Sequence, residues 1–553
     1  MLLQLKGGTV YDPANGVNGE RRDIFIRHGK IVRPPRSGRA AQVIDVRGNV
    51  VMAGAIDVHS HVGGGKVNIA RMLLPEEHSA SAERRTAIRR AGSGEVTPST
   101  FTTGYRYAAM GYTACFEPAM LPANARQAHL EMADIPILDT GAYALLGSDD
   151  FLLRLLARGG GRKPLRDYVA WILHATQAIG IKVVNPGGIN AFKFNQRRLD
   201  LDERHAHYGL TPRDILLALA HAVQELGVPH PLHVHGCNLG VPGNADTTLK
   251  TIEAAEGLRL HLTHLQFHAY GSEGDRGMSS GAAPIAEAVN RNPNISIDVG
   301  QVIFGQTVTA SGDTMLQYRG RRHAHPNKWV CMDIECDAGC GVVPFRYRDR
   351  NFVNALQWCV GLELFLLVSD PWRIFLTTDH PNAGPLTSYP HLIRLLMDRS
   401  FRRQMLATIH PEARRASSLD SLDREYSLYE IATLTRAAPA RSLGLAGLGQ
   451  LGTGAAADVV VYVPHRNRER MFSKPRYVFK NGELVARDGE IVHAPAGALH
   501  TVKPEFDRGI ERRIRDYFSR YLTVSPDNFR LSDDELLDFG RTRVAVHPTV
   551  GTE

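Results

Sequence analysis

The sequence predicts an α/β protein: a (β/α)8 TIM barrel carrying a small β-sandwich built from both chain ends. Three observations lead there. Strand-like and helix-like patterns alternate from about residue 53 to 450. The two ends share a strand-and-turn texture that the middle lacks. An apolar run closes on two histidines one residue apart, Gly54-Ala-Ile-Asp-Val-His59-Ser-His61. Alternation along a strand turns both imidazoles to one side, and the C-terminal end of a barrel strand is the functional face.

Residues 1–52 supply the first part of the sandwich. Thr9-Val-Tyr and Asp23-Ile-Phe-Ile-Arg are strand-like, and Asp12-Pro-Ala-Asn-Gly punctuates them. Residues 451–500 supply the second part, with Ala457-Asp-Val-Val-Val-Tyr-Val, Tyr477-Val-Phe-Lys-Asn-Gly and Glu490-Ile-Val. Residues 501–553 are charged and read as a C-terminal extension, a helix plus an extended arm.

The barrel occupies 53–450. Its first strand is the run from Val50 to Val58 that precedes His59. The other seven are Gly111–Phe116, Ile137–Tyr143, Ile181–Asn185, Pro231–His235, Leu260–His264, Ile295–Val299 and Ile374–Asp379. Helical stretches such as Pro212–Leu226 and Ala282–Asn290 lie between them. The largest insertion, about 301–370, precedes the eighth strand.

Bulk properties narrow the function. At 553 residues the chain needs two or three domains. Its 43% hydrophobic and 22% charged residues are those of an ordinary globular protein. No apolar run reaches membrane-spanning length, and the start lacks a signal-peptide layout. Six cysteines are no disulfide scaffold, so the expected compartment is a reducing cytoplasm. The net charge of +8 comes from scattered arginine with no Lys/Arg block, which argues against nucleic acid.

The strand ends carry the chemistry. Strand one offers His59 and His61, strand four Lys182, strand five His233 and His235, strand six His261 and His264, and strand eight Asp379. Imidazoles and a carboxylate converging on one barrel mouth suit zinc-type metals. An ammonium cannot ligate a cation, but a buried lysine whose pKa is lowered can add CO2 to become a carbamate that bridges two ions. An ordinary lysine snorkelling to the mouth is the other reading of Lys182. On strand five, His235 lies one layer nearer the mouth than His233 and is favoured. His264 is favoured over His261 for the same reason, and His261, His230, His221 and His268 are set aside as core, helix or loop histidines. Asp379 is read as a metal-bound general base, with a helix cap before Pro381 as its alternative. Cys331, Cys336 and Cys340 fit no standard metal spacing and read as free thiols. Gly63-Gly-Gly65 lacks the rest of a phosphate loop and reads as a place where backbone approaches the site.

This set resembles the binuclear-metal amidohydrolase superfamily, and the sandwich split between the chain ends agrees. Longer phrases are similar to the A subunits of formylmethanofuran dehydrogenase and of the bacterial formyltransferase/hydrolase complex. They are Ile181-Lys-Val-Val-Asn-Pro-Gly-Gly, Leu232-His-Val-His, Thr263-His-Leu-Gln-Phe-His-Ala-Tyr-Gly, Ile297-Asp-Val-Gly-Gln and Leu376-Thr-Thr-Asp-His-Pro-Asn-Ala-Gly-Pro. The resemblance implies hydrolysis of N-formylmethanofuran to formate and the free amine, in one-carbon metabolism. It implies two Zn2+, or other divalent ions, held by His59, His61, N6-carboxylated Lys182, His235, His264 and Asp379. Catalysis falls to Asp379, Lys182 and His264. Its implied partners are the other subunits of a hetero-oligomeric complex and a methanofuran-type substrate that can bear a polyglutamate tail. Where the family carries a Trp-rich segment, this chain has Ile189-Asn-Ala-Phe-Lys-Phe-Asn. The bacterial hydrolytic complex is preferred over the dehydrogenase. A hydantoinase- or dihydroorotase-like cyclic amidohydrolase and a non-catalytic scaffold are the remaining alternatives.

Overall fold

The computed structural model describes residues 2–35, 42–188, 191, 196, 199–312, 334–335 and 341–550. Cys331, Cys336 and Cys340, and most of the Ile189-Asn-Ala-Phe-Lys-Phe-Asn segment, lie outside the described residues.

Eight parallel strands form the barrel: Ala55–Asp57, Tyr112–Met120, Asp139–Leu145, Gly180–Val184, Leu232–His235, Leu260–Leu262, Ile295–Asp298 and Ile374–Phe375. Consecutive strands pair throughout, and Ser60 bridges His380 in parallel, closing strand eight on strand one. Helices return the chain between strands, among them Thr100–Ala109, Arg162–Thr176, Pro212–Glu225, Ala282–Arg291 and Phe352–Leu367. Local chemistry sets their starts. Before Pro212, the Thr211 hydroxyl accepts from the Asp214 amide while Asp214 accepts from the Thr211 amide, a reciprocal cap. The insertion before strand eight contains Phe352–Leu367, and an antiparallel ribbon pairs Gly305–Gly312 with Gly341–Tyr347.

The two chain ends meet in one nine-stranded sheet. Val50–Ala53 is its hinge element, pairing with Leu3–Asp12 on one side and Val459–Tyr462 on the other. Residues of this sheet, including Leu5, Ile24, Ile26, Val51, Val459, Val461 and Phe479, make a hydrophobic core separate from that of the barrel. The apolar run from Val50 to Val58 is therefore two strands. Val50–Ala53 belongs to the sandwich sheet and Ala55–Asp57 to the barrel, with Gly54 between. A Cβ on Gly54 would fall 2.1 Å from Thr113 Oγ1, so only glycine lets the chain cross at that point.

The segment beyond 500 forms the helix Gly509–Tyr521 and does more than extend outward. Leu499–Val502 enters the barrel sheet beside strand three and pairs in parallel with Val544–His547. Sandwich and barrel are joined through charge as well. Lys480, buried at the end of strand Tyr477–Lys480, places its ammonium 2.7 Å from both Asp139 of barrel strand three and Asp458. No helix among the described residues is long and apolar enough to cross a membrane.

Candidate metal centre

Barrel register ranks the histidines by depth. Lys182, His233 and His261 stand level across strands four, five and six, so His235 and His264 are nearer the mouth. His59 and His61 lie just beyond strand one, which ends at Asp57, and Ser60 between them makes the closing bridge. That bridge keeps the alternation that turns both imidazoles inward.

Three donors converge on strand eight. His59 Nε2 is 2.9 Å and His61 Nε2 3.3 Å from the same oxygen, Asp379 Oδ1. Asp379 is no helix cap; the Thr377 hydroxyl accepts its amide at 3.0 Å, and Thr377 in turn donates to the His59 carbonyl at 2.7 Å. Opposite this group, the donor atoms of His235, His264 and His268 all lie within 4.8 Å of one another. His59, His264 and Asp379 form a second such group, which links the two sides, and His59, His233 and Asp298 form a third.

Lys182 is buried and close enough to Asp379, His235 and His264 to interact with each through charge. Burial pushes its pKa down to about 8, against the attraction of Asp379, Asp298 and Glu117. Burial likewise holds His235 and His264 well below the ordinary histidine range, so both present neutral imidazoles that can ligate. Asp379 sits well below the usual carboxylate range: His59 and His264 outweigh the burial that opposes them.

A shell of buried groups fixes the donors. Glu117 of strand two takes His61 Nδ1–H at 3.0 Å and the Val62 and Gly63 amides at 2.8 and 3.2 Å. The glycine-rich turn thus serves a carboxylate, and with it His61. Asp57 accepts the His59 amide at 2.9 Å and hydroxyls from Tyr107 and Tyr389. Asp298, at the end of strand seven, takes the His264 amide at 2.6 Å, the Thr263 hydroxyl at 2.6 Å and His261 Nε2–H at 3.0 Å. His261 is a hydrogen-bonded core histidine, bound also to Ser296. His233 is buried a layer below His235: its Nε2 lies 2.9 Å from His59 Nδ1, and its Nδ1 contacts His230 at 3.0 Å.

Glu117 and His268 lie away from the strand ends, whereas Asp298 sits at one. Glu117 sits mid-strand in Tyr112–Met120, where nothing local marks it. Asp298 ends strand seven, and a carboxylate between Ile297 and Val299 was the available signal. His268 is four residues after His264, the spacing of one helical turn.

A model of the amidohydrolase family matches residues 42–493. The chain belongs to that family. It is 45% identical over 540 residues to the Fhc A subunit of the formyltransferase/hydrolase complex of Methylorubrum extorquens, covering 96% of this chain and 97% of the relative. It is 40% identical to protein FwdA of Methanocaldococcus jannaschii, covering 96% of each. The crystal structure of the M. extorquens complex FhcABCD with methylofuran contains a chain of 43% identity. It superposes with a TM-score of 0.92 over 99% of this chain and 100% of that one. As an amidohydrolase, this chain carries its histidine and carboxylate donors at the barrel mouth, the face where barrel enzymes place their chemistry.

Proposed function

We propose that this chain is the hydrolytic A subunit of a formyltransferase/hydrolase complex. It cleaves the formamide of an N-formylmethanofuran-type substrate to formate and free amine. The observation that carries the reading is the 45% identity to the Fhc A subunit over 96% of the chain, together with a barrel mouth equipped for metal-dependent hydrolysis.

The donor set fits two divalent ions. His59, His61 and Asp379 would hold one, and His235 and His264 the other. The buried Nδ1 of His264 has no hydrogen-bond partner, as expected of a nitrogen reserved for a ligand. Nitrogen and oxygen donors of this kind favour Zn2+. With its pKa near 8, Lys182 keeps roughly a tenth of its amine free at neutral pH. By attacking CO2 that amine would form a C–N bond as one C=O π bond opens and release one proton, and the resulting carbamate would join the residues that hold the ions. When bound, the ions supply a hydroxide nucleophile and polarise the formyl oxygen.

The chain's own residues do the rest. Asp379 takes the proton of the attacking water and delivers it to the leaving amine nitrogen, as general base and then general acid. Its depressed pKa keeps it ionised for the first of these roles. His59 and His61 fix the carboxylate from two sides, and Glu117 and Asp298 fix His61 and His264. Lys182→Ala in the purified complex tests the reading. Roughly two ions per chain and formate release from N-formylmethanofuran are expected in the wild type, with both lost in the variant. Metal-free wild type, or a variant that still releases formate, would leave this chain a scaffold.

The 40% identity to FwdA supports a second reading, in which the same site runs toward formylation. A redox subunit that forms formate, co-purifying with this chain, would favour it.

A further inference from the structure

A file of buried imidazoles runs from the mouth down the barrel interior. His59 Nδ1 lies 2.9 Å from His233 Nε2, and His233 Nδ1 lies 3.0 Å from His230 Nε2. His230 Nδ1 then meets Ser442, whose hydroxyl oxygen is 3.0 Å away and whose backbone oxygen accepts from it. All three rings are fully buried. Ser442, the last residue of the short helix Ala438–Ser442, is half-buried. The two-ion assignment uses only the His59 end of this file.

Packing keeps the rings in line. His230 stands in Pro229-His230-Pro231, where the following proline confines its backbone to extended geometry. The Tyr143 ring stacks on His230, with centroids 4.8 Å apart and planes 6° from parallel, and its centroid is 4.7 Å from that of His233. Tyr143 is itself anchored by donating to the Val58 carbonyl at 2.8 Å. Burial, reinforced by His261 and Arg259, holds His230 well below the ordinary histidine range. Burial, reinforced by His261, His59 and Lys182, does the same for His233, so both rings are neutral.

A neutral imidazole carries one N–H and one bare nitrogen. A contact of 2.9 or 3.0 Å between two ring nitrogens holds one hydrogen, neither two nor none. With His59 neutral, as a ligand must be, the rings have only two orders: every N–H points away from the mouth, or every one points toward it. Ser442 selects between them. Its carbonyl can only accept, so His230 carries its hydrogen on Nδ1 and leaves Nε2 bare. His233 then donates through Nδ1, and His59 donates through Nδ1 in turn. His59 Nε2, the nitrogen 2.9 Å from Asp379 Oδ1, keeps its lone pair. The Thr263 hydroxyl gives its own hydrogen to Asp298 and accepts from His59 Nδ1 in the same sense.

We infer that His230 and His233 are positioning residues that carry the polarity of the Ser442 carbonyl to the mouth and fix His59 as its Nδ1–H tautomer, the form that ligates through Nε2. The inference rests on the two-ion reading above, in which His59 holds an ion. No ring gains or loses a proton; only the place of its hydrogen is set. Neither residue is a ligand, because the nitrogen each turns toward the mouth already accepts the N–H above it.

The test uses the intact complex. His230→Phe keeps a ring stacked on Tyr143 but removes the acceptor for His233 Nδ1–H. His230→Gln places an amide oxygen near the position of Nε2 and restores it. After stripping with a chelator and titration with Zn2+, His230→Phe should bind the ion at His59, His61 and Asp379 at least about tenfold more weakly, and His230→Gln should return to within about threefold of wild type. The ion at His235 and His264 should be retained in both variants, which reports that they are folded. Neutron diffraction from deuterated crystals of the zinc-loaded wild type should show deuterium on Nδ1 of His59, His233 and His230. Deuterium on His233 Nε2, equal weakening in the two variants, or wild-type affinity in His230→Phe overturns the inference. If the affinities split as expected while wild type releases no formate, the positioning role stands and the formamide reading falls. Wild type that takes up no zinc overturns both.

Discussion

Gly300 lies directly beneath His264. A Cβ at Gly300 would fall 2.5 Å from His264 Cβ and 2.9 Å from its Cα, and Gly300 has a φ of +62°. His264 is itself left-handed, with φ at 36°. The ring reaches the mouth only because the chain after strand seven carries no side chain there.

Gly300→Ala should therefore displace His264 and lower formate release by about 100-fold, with one ion lost per chain. Gly209→Ala is the control. Gly209 has a φ of +70° but nothing within 4 Å of its missing Cβ. It should cost about 1 kcal/mol of stability and leave activity unchanged. Equal losses of activity in the two variants would show that backbone strain, not the approach to His264, is responsible.

Glu117→Gln should weaken the ion at His61 by about 10–100-fold in a chelator competition. The carboxylate accepts from His61 and from the Val62, Gly63 and Ala119 amides. An amide keeps one acceptor and turns two N–H groups toward donors. Unchanged metal affinity would reduce Glu117 to a turn-stabilising role.

Lys480→Met should destabilise the protein by about 3–5 kcal/mol, because it leaves Asp139 and Asp458 buried without their cation. The pH dependence follows from the same pair. The Lys480 ammonium and His500 depress the Asp139 pKa against burial, so this carboxylate adds stability that is present above its unfolded value near 4 and is lost as pH falls below it. The Lys480 pKa is raised by Asp139 and Asp458, so its contribution is present below its unfolded value near 10.4 and is lost as pH rises through the higher folded value. Melting temperatures at pH 4 and pH 2 should differ less in Lys480→Met than in wild type. A variant as pH-sensitive as wild type would mean that the Lys480–Asp139 pair does not govern the acid limb.

Much of the site is legible in strand ends. His59, His61, His235, His264 and Asp379 each follow an apolar run, and period-two alternation ranks His235 above His233, an order the Lys182–His233–His261 register shares. Glu117, in mid-strand, is not legible in this way, and Asp298 ends strand seven without its role being legible. Each becomes meaningful only through what it accepts from another strand: Glu117 from His61 of strand one, Asp298 from the turn after strand six.

By itself, the sequence determined the strand-and-helix alternation, the shared strand-and-turn texture of the two ends and the residue types able to ligate. Those follow from local period, turn chemistry and side-chain type, which neighbours in the chain already specify. Only the tertiary structure decided that the run from Val50 to Val58 breaks at Gly54, that His268 joins His235 and His264, and that Lys480 clamps the sandwich to strand three. Those depend on close approach between segments far apart in sequence, where one missing Cβ or one buried charge decides, and no local pattern encodes such a distance.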